Sequence, residues 1–394
     1  MTHKTTSLFA QIIHHLIDLP TFERIVRRHQ GEKHSKGFSC WDQLVAMLFL
    51  HFSAVTSLRE IVGGLRTAAG KVSHLRLKKV HGHSTLAYAN EHRPWEIYQD
   101  LFFATLERCR STLRTGQRLR FKNKLISMDS TTISLCLSLF QWAKFRQTKG
   151  GVKVHCLLDH DGYFPEFAHI TEAKKSDSKI ARLILSQLHR LPPASIIVFD
   201  RAYVDFTLFK NLSDDNVFFV TRLKEGMNWR VIRHREVPKN RGILRDDEIV
   251  FEGQAAAVLG QQTFRIVSIL VEQTGEEMTF LTNNFSFGAT TIAKIYKDRW
   301  NIEIFFKTLK QHLKVKTFVG ETENALKIQI WTAMIAVLGM KYMKALSTYG
   351  WSLSNLVAFL RLNLFTYRDL LAWLNNPIAE PAWEPDMQIS FDFG

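Results

Sequence analysis

A run of fifteen residues, Tyr296 to Lys310, carries the densest set of chemically useful side chains in the sequence. It has the spacing Tyr296-x₂-Arg299-x₃-Glu303-x₆-Lys310. At about 100° per residue on a helix, these four side chains share an arc of about 60°. The apolar residues of the run lie on another side, which predicts a helix that packs against a core and presents one carboxylate among basic and aromatic groups. The run alone fits two interpretations equally: a solvated charged face, and a surface that binds a phosphate backbone around one acid.

Two aspartates occupy positions that indicate a function for their carboxylates. Asp129 lies inside a predicted strand, where burying an unpaired carboxylate is costly. Asp200 follows the wholly apolar strand 196–199, and ligand sites of open α/β sheets gather at the carboxyl ends of strands. If the two strands are neighbours, both side chains meet at one edge of the sheet, and a helix crossing there could add Glu303.

Three clustered carboxylates would need a cation to remain ionised together. Hard oxygen ligands select Mg²⁺ or Mn²⁺. Two such ions about 3.5–4 Å apart are the usual apparatus for in-line displacement at phosphorus. The sequence therefore predicts that Asp129, Asp200 and Glu303 form a two-metal site for phosphodiester chemistry.

The charge of the chain agrees with a nucleic-acid substrate. Its 52 Lys and Arg residues exceed its 37 Asp and Glu residues, which gives a net charge of +15 over 394 residues. The excess is concentrated in residues 1–124, which hold 20 basic against 9 acidic side chains. Such an excess favours a polyanionic partner, here a nucleic acid.

Composition excludes several other classes of protein. Hydrophobic residues make up 46% and charged residues 23% of the chain, which excludes a disordered or fibrous protein. The apolar runs fall short of the roughly 20 residues that span a bilayer, and the N-terminus lacks the features of a signal peptide. We therefore expect a cytoplasmic protein with no membrane partner. The four Cys and sixteen His residues show no zinc-site spacing, so zinc is not expected.

The elements that must position the acids change type along the chain. The first 120 residues have helical patterns, including a capping box at Ser57–Glu60 and a break near Pro94. From Leu125 the predicted order is β-β-β-α-β-α-β, which is the order of a ribonuclease H-like fold, although other mixed sheets share it. Residues 223–290 alternate short strands with turns, and residues 291–374 are predicted to be helical.

We therefore predict an α/β protein with four parts. They are a helical part (1–124), a part with strands and helices that continues after an interruption (125–222 and 291–374), the β-rich stretch that interrupts it (223–290), and a loosely ordered tail (375–394).

The spacing Tyr-x₂-Arg-x₃-Glu-x₆-Lys, together with Asp200-Arg201-Ala202-Tyr203 and Met128-Asp129-Ser130-Thr131, resembles the DDE transposases of the insertion-sequence 4 family. One departure is Ala202, where Gly is common in that family. The resemblance covers about residues 1–370. It implies that residues 1–124 form a helical domain that binds double-stranded DNA. It also implies that residues 125–222 and 291–374 form a ribonuclease H-like catalytic domain, interrupted between the second aspartate and the glutamate by a β-rich insertion (223–290).

The resemblance also implies an activity and roles for the site residues. Asp129, Asp200 and Glu303 would hold two divalent ions, and Tyr296, Arg299 and Lys310 would bind phosphates near the cleaved transposon end. The enzyme would bind terminal inverted repeats through residues 1–124, cleave, and join the freed 3′-OH to target DNA, as a homodimer that synapses two ends. Two alternatives stay open: a metal-dependent nuclease of the same fold, and an inactive DNA-binding regulator.

Four further residues each have a structural and a functional interpretation. Asp177 is expected to begin a helix, although it could approach the active site. Lys153 and His155 alternate on a strand and could line the DNA side. Trp300 is expected to pack in the core more readily than to stack on a base.

Overall fold

The computed structural model describes residues 6–378 except for short gaps. The gaps are residues 34, 54, 69–71, 114–122, 136–139, 141–143, 147–148, 162–163, 174–175, 188–190, 239–240, 272–273 and 313–317. The loosely ordered tail predicted for 375–394 lies outside the described residues from 379 onward.

The described elements follow the predicted change from helices to strands and back to helices. The first helices are α1 (Leu8–Leu16), α2 (Leu19–Arg28), α3 (Cys40–Ser53), α4 (Leu58–Thr67), α5 (His83–His92) and α6 (Glu96–Leu113). The middle of the chain holds β1 (Leu125–Leu135), β2 (Lys144–Arg146), β3 (Lys149–Asp159), β4 (Pro165–Glu172), α7 (Asp177–Gln187), β5 (Ile196–Phe199), α8 (Phe206–Asp214) and β6 (Phe218–Arg222). Next come β7 (Trp229–His234), β8 (Ile243–Phe251), α9 (Gln254–Leu259), β9 (Thr263–Leu270) and β10 (Glu277–Thr282). The chain then forms α10 (Ala289–Asp298), α11 (Trp300–His312), α12 (Glu323–Leu346), α13 (Leu353–Asn363) and α14 (Leu370–Asn375).

The N-terminal helices begin and end where local sequence signals predict. The side chain of Ser57 accepts a hydrogen bond from the backbone N–H of Glu60 at 3.1 Å, which fixes the start of α4. The segment around Pro94 separates α5 from α6, because proline cannot continue a helix. The helical N-terminal region is therefore confirmed.

The ten described strands form one mixed sheet. Its order is β2-β3-β1-β5-β6-β10-β9-β8-β7. β4 pairs with β3 on the edge opposite β1. β1, β3 and β4 are antiparallel neighbours, whereas β5 and β6 run parallel to β1. The α/β class is confirmed by this sheet and the helices around it.

The strands of residues 223–290 extend this sheet. β10 pairs antiparallel with β6, so β6 is an inner strand and its backbone groups find partners on both sides. The described residues of this stretch form the four strands β7–β10 and a short helix, α9, which the sequence analysis did not predict.

Each face of the sheet has its own apolar core. On one face, Met128 and Phe199 pack with residues of α7 and α8 such as Ile180 and Phe209. On the other face, Leu125 and Val198 pack with Ala289, Ile292 and Ile295 of α10. Because side chains alternate along a strand, Asp129 and Asp200 share the α10 face, and Ser130 faces α7.

The chain divides into two compact units whose limits differ from the predicted domain boundaries. One unit contains the described residues up to 113 together with 331–378, and the other contains the described residues between 123 and 330. α12 crosses the boundary, and its part after Trp331 belongs to the helical unit. There the Trp331 ring lies 5.5 Å from Phe102, and Thr332 lies 3.0 Å from the ring nitrogen of His51. Packing of this apolar segment against N-terminal helices explains the difference.

Within the described residues, no single helix is long and apolar enough to cross a membrane. The bent pair of α3 and α4 meets that criterion by length and composition only, and the apolar residues of α3 are buried in the protein.

Candidate active site

Two of the predicted acids lie side by side where the pairing of the parallel strands β1 and β5 ends. β1 and β5 are paired up to Met128 and Phe199, and Asp129 and Asp200 are the next residues of the two strands. Asp200 also accepts a hydrogen bond from the backbone N–H of Arg201 at 2.7 Å, which begins a short 3₁₀ turn. The register therefore brings both carboxylates to one edge of the sheet, on the face that α10 covers.

The third acid comes from α11. The predicted single helix is interrupted at Arg299, which joins α10 to α11 while keeping helical backbone angles. The predicted apolar stripe is buried at Ile295, Ile302, Phe305, Phe306 and Leu309, whereas Leu313 lies outside the described residues. Glu303 borders this buried stripe on α11, and Arg299 links it there to Asp129.

Arg299 joins two of the acids directly. Its guanidinium donates to a carboxylate oxygen of Asp129 at 3.0 Å and to one of Glu303 at 2.8 Å, and only 11% of its side chain is exposed. The hydroxyl of Tyr296 donates to Asp200 at 3.4 Å, and the Arg299 guanidinium lies 5.5 Å from the Tyr296 ring. Three residues of the Tyr-Arg-Glu-Lys spacing thus contact the acids or one another.

The cluster makes the ionised form of Asp129 costly. Burial raises the pKa of the Asp129 carboxyl to about 6, and the charges of Glu303 and Asp200 act in the same direction. The backbone N–H of Ser130 and the guanidinium of Arg299 favour the ionised form but only partly offset burial. A carboxyl in this state gains stability from any additional cation that approaches it.

Comparison with known proteins identifies the family. The profile described as Transposase DDE domain matches residues 120–338, which is more than half of the chain. The chain belongs to the DDE transposase family. A second profile, described as a domain of unknown function (DUF4372), matches residues 4–78 of this transposase.

Several curated relatives carry transposase names. The transposase is 30% identical to a protein named as transposase y4zB of Sinorhizobium fredii, over 76% of this chain and 82% of the relative. It is 26% identical to a protein named as the transposase of insertion sequence element IS5377 of Geobacillus stearothermophilus, over 66% of this chain and 67% of the relative. Among solved structures it resembles the piggyBac transposase synaptic complex with hairpin DNA, with 13% identity, a TM-score of 0.45, and coverage of 96% of this chain and 82% of that chain.

Lys310, the remaining predicted DNA-contacting residue, and Trp300 at the start of α11 are both exposed. Lys310 is exposed on α11, two turns beyond Glu303. Trp300 is 61% exposed and Ile304 is 53% exposed, so the expectation that Trp300 packs in the core is wrong. The apolar stripe of α11 is already complete without Trp300, which explains its exposure.

The donor set of the site suits a hard divalent cation, since it consists of carboxylate oxygens. In the described part of the chain, however, no group of three His, Cys, Asp or Glu residues is arranged to hold a metal ion as it stands. Arg299 occupies one oxygen of Asp129 and one of Glu303. The residues fit the chemistry of such an ion, provided that Arg299 yields these oxygens.

The raised pKa of Asp129 predicts a pH dependence of stability. Its usual value is 3.8, so between about pH 4 and about pH 6 the folded protein keeps a proton that the unfolded chain has lost. In EDTA, we expect the free energy of unfolding to fall by up to about 3 kcal/mol as pH rises through this window, and the contribution to be absent in Asp129→Asn. Urea unfolding of both proteins from pH 4 to pH 7 measures it. A wild-type minus Asp129→Asn difference that stays constant over this range would contradict the assignment.

The sequence analysis did not connect a second polar cluster with Asp129. Ser130, Lys153, His155 and Asp177 meet on the α7 face, directly behind the acids. Asp177 begins α7, as expected, and Lys153 and His155 project toward it. The alternation of Lys153 and His155 on β3 was the only signal in the sequence, and it did not indicate their partner.

Proposed function

We propose that this enzyme is a cut-and-paste transposase of the insertion-sequence 4 family, which binds the terminal inverted repeats of its element, cleaves them and transfers the ends to target DNA. The observation that carries the proposal is that Asp129 and Asp200 directly follow the last paired residues of β1 and β5, with Glu303 joined to Asp129 through Arg299. The order β4-β3-β1-β5-β6 supports a ribonuclease H-like catalytic domain that residues 223–290 interrupt.

Asp129, Asp200 and Glu303 would hold two divalent ions, Mg²⁺ or Mn²⁺. When bound, such ions supply Lewis-acid stabilisation of charge on the phosphate and on the attacking and leaving oxygens. The chain itself contributes the three carboxylates on rigid strand ends and a helix. It also supplies the Arg299 guanidinium, which balances their charge before DNA arrives.

The reaction would proceed in two displacements at phosphorus. Water attacks the phosphodiester at the transposon end, the P–O3′ bond breaks, and the strand ends in a free 3′-OH and a 5′-phosphate. That 3′-OH then attacks a phosphodiester of target DNA, so one P–O bond forms for each bond that breaks. Tyr296, Arg299 and Lys310 would bind phosphates beside the cleaved bond, and no protein–DNA bond is needed.

Binding of the DNA ends would rest largely on residues 1–124. This part holds 20 of the 52 Lys and Arg residues and 9 of the 37 Asp and Glu residues. Charge of this density supplies affinity for the phosphate backbone. Because two ends must be held together for transfer, we propose a homodimer as the working assembly.

A direct test uses linear DNA that carries both ends of the element, with Mg²⁺ or EDTA, and a supercoiled plasmid as target. If the protein is a transposase, we expect Mg²⁺-dependent cleavage at the ends and joining of the released 3′-OH ends to the plasmid. Cleavage without joining would favour the nuclease, and binding without cleavage in Mg²⁺ or Mn²⁺ would favour the inactive regulator.

Replacing Lys310 tests whether this residue contacts DNA, without removing any of the three carboxylates. Lys310→Ala should weaken DNA binding several-fold irrespective of sequence, because it removes one phosphate contact. The slope of log affinity against log salt concentration should become less steep by about 1. Fluorescence anisotropy between 50 and 200 mM salt, an order-of-magnitude window for such contacts, measures both quantities.

The matched control is Lys294→Ala, which removes an exposed lysine of α10 about 160° around the helix from Tyr296. This variant should keep the wild-type slope. Equal slopes for all three proteins would exclude Lys310 from the DNA contacts.

A further inference from the structure

The face of β1 opposite the three acids carries a compact polar cluster, which we call the Asp177 cluster. It consists of Ser130, Lys153, His155, Thr171 and Asp177. Lys153 and Asp177 are 14% and 21% exposed, and His155 is 1% exposed. A polar group of this burial at the start of α7 requires partners, and the cluster supplies them.

Asp177 is the centre of the cluster. Its carboxylate accepts from the Ser130 hydroxyl at 2.8 Å and from the Lys153 ammonium at 3.1 and 3.2 Å. A ring nitrogen of His155 lies 3.6 Å from the same carboxylate, and the other ring nitrogen lies 3.0 Å from the Thr171 hydroxyl. These contacts tie the start of α7 to β1, β3 and β4 at one point.

Ser130 connects the cluster with the proposed metal ligand. Its backbone N–H donates to one oxygen of Asp129 at 2.8 Å, while its hydroxyl donates to Asp177. The other oxygen of Asp129 is the one that Arg299 binds. The backbone of Ser130 thus holds the Asp129 carboxylate, and its side chain anchors β1 to α7.

The backbone around Asp129 needs such an anchor. β5 pairs with β1 only as far as Met128, so beyond that residue β3 is the ladder neighbour of β1. A strand held on one side has more freedom to shift, and a shift of Ser130 would turn Asp129 away from Asp200. Asp177 lies where it can prevent this shift.

We propose that Asp177 is a positioning residue that acts through Ser130 to hold Asp129 in the orientation needed for binding a divalent cation. The proposal rests on the proposed role of Asp129 as a metal ligand. Outer contacts of this kind, when removed, typically cost about 10- to 100-fold in metal affinity or activity. The same range is the expected effect here.

The test compares Asp177→Ala, Ser130→Ala and the double variant. Each single variant should raise the Mg²⁺ concentration for half-maximal end cleavage about 10- to 100-fold, with unchanged DNA affinity in EDTA. The Mg²⁺ concentration that gives half of the metal-induced rise in Tm, measured without DNA, should shift to the same extent. The double variant should need no more Mg²⁺ than either single variant, because both substitutions break the same chain of contacts from Asp177 through Ser130 to Asp129.

Two control variants and one folding check keep the outcome specific. Ser130→Thr retains the hydroxyl and should remain near wild type. Asp214→Ala removes an exposed aspartate that pairs with Lys210 at 2.9 Å and should change nothing. If Asp177→Ala does not fold in EDTA, as judged by circular dichroism, the Ser130 variants carry the same test.

The inference is overturned if Asp177→Ala, or Ser130→Ala in its place, keeps the wild-type Mg²⁺ midpoints, or if the two effects are additive. Failure of the proposed function has a different signature. In that case the wild-type protein would neither cleave ends nor gain thermal stability from Mg²⁺, whatever occupies position 177.

Discussion

Replacing Glu303 with Gln should lower the rate of end cleavage by about 10³-fold or more while leaving DNA binding intact. Gln keeps the size of the side chain and an oxygen that can accept from Arg299, so the change removes chiefly the negative charge. Loss of several kcal/mol of transition-state stabilisation from an impaired metal site corresponds to a rate loss of this size. Single-turnover cleavage of labelled end DNA in Mg²⁺, beside a binding assay in EDTA, measures the two effects separately.

The control for this prediction is Glu323→Gln. Glu323 lies in the first turn of α12 and forms an i,i+4 pair with Lys327 at 2.7 Å, the same spacing as Glu303 and Arg299, but it is 57% exposed. Its replacement should leave cleavage unchanged. Wild-type cleavage by Glu303→Gln would show that the third acid of the site is a different residue.

The largest expected effect on stability concerns a buried ion pair between β8 and β9. Arg265 is 1% exposed and donates twice to Asp246, at 2.7 Å each, and also to the backbone carbonyls of Asn284 and Phe287. Arg265→Met would remove both close hydrogen bonds of the buried Asp246 carboxylate and leave it Arg235, whose nearest guanidinium nitrogen lies 3.7 Å away. We expect a loss of about 3–5 kcal/mol in the free energy of unfolding, measured by urea denaturation.

Two further variants separate the buried charge from lost packing. Adding Asp246→Leu to Arg265→Met should recover much of the loss, since apolar replacement of both partners is often neutral. Arg230→Met removes an exposed partner of Glu252, 3.4 Å away, and should cost less than about 0.5 kcal/mol. A loss below about 1 kcal/mol for Arg265→Met would mean that Asp246 finds other compensation.

This ion pair also bears on the site. Asn284 and Phe287 lie in the turn that precedes α10, and α10 leads to Tyr296 and Arg299. The strands of 223–290 therefore help to fix the start of the helix that brings the third acid. A partly folded Arg265→Met protein should accordingly lose cleavage before it loses the helical N-terminal region.

The elements around the acids could largely be predicted from local patterns. The wholly apolar run 196–199 is a strand buried on both faces, and its length matches β5. The apolar stripe from Ile295 to Leu309 predicted which face of α11 is buried and therefore which face carries Glu303. Short-range periodicity suffices here because burial of one face is its direct consequence.

Sequence patterns did not predict strands correctly where charged residues are buried. β8 begins at Ile243, but its Asp246 and Asp247 resemble a polar turn in the sequence, although they are 3% and 2% exposed. Their partners, Arg265 and Arg245 among them, lie on a neighbouring strand or on the same one. A buried charge cannot be told from a solvated one until its partner is known.

By itself, the sequence determined the types of most elements around the acids, the three candidate acids and the basic character of the first 124 residues, because these depend on residue type and near-neighbour spacing. Only the tertiary structure decided the pairing of β10 with β6, the binding of Arg299 to both Asp129 and Glu303, and the support of Ser130 by Asp177. These contacts join residues between 47 and 170 positions apart, apart from the i,i+4 pair of Arg299 and Glu303. Strand order and register set such distances, and no local pattern encodes them.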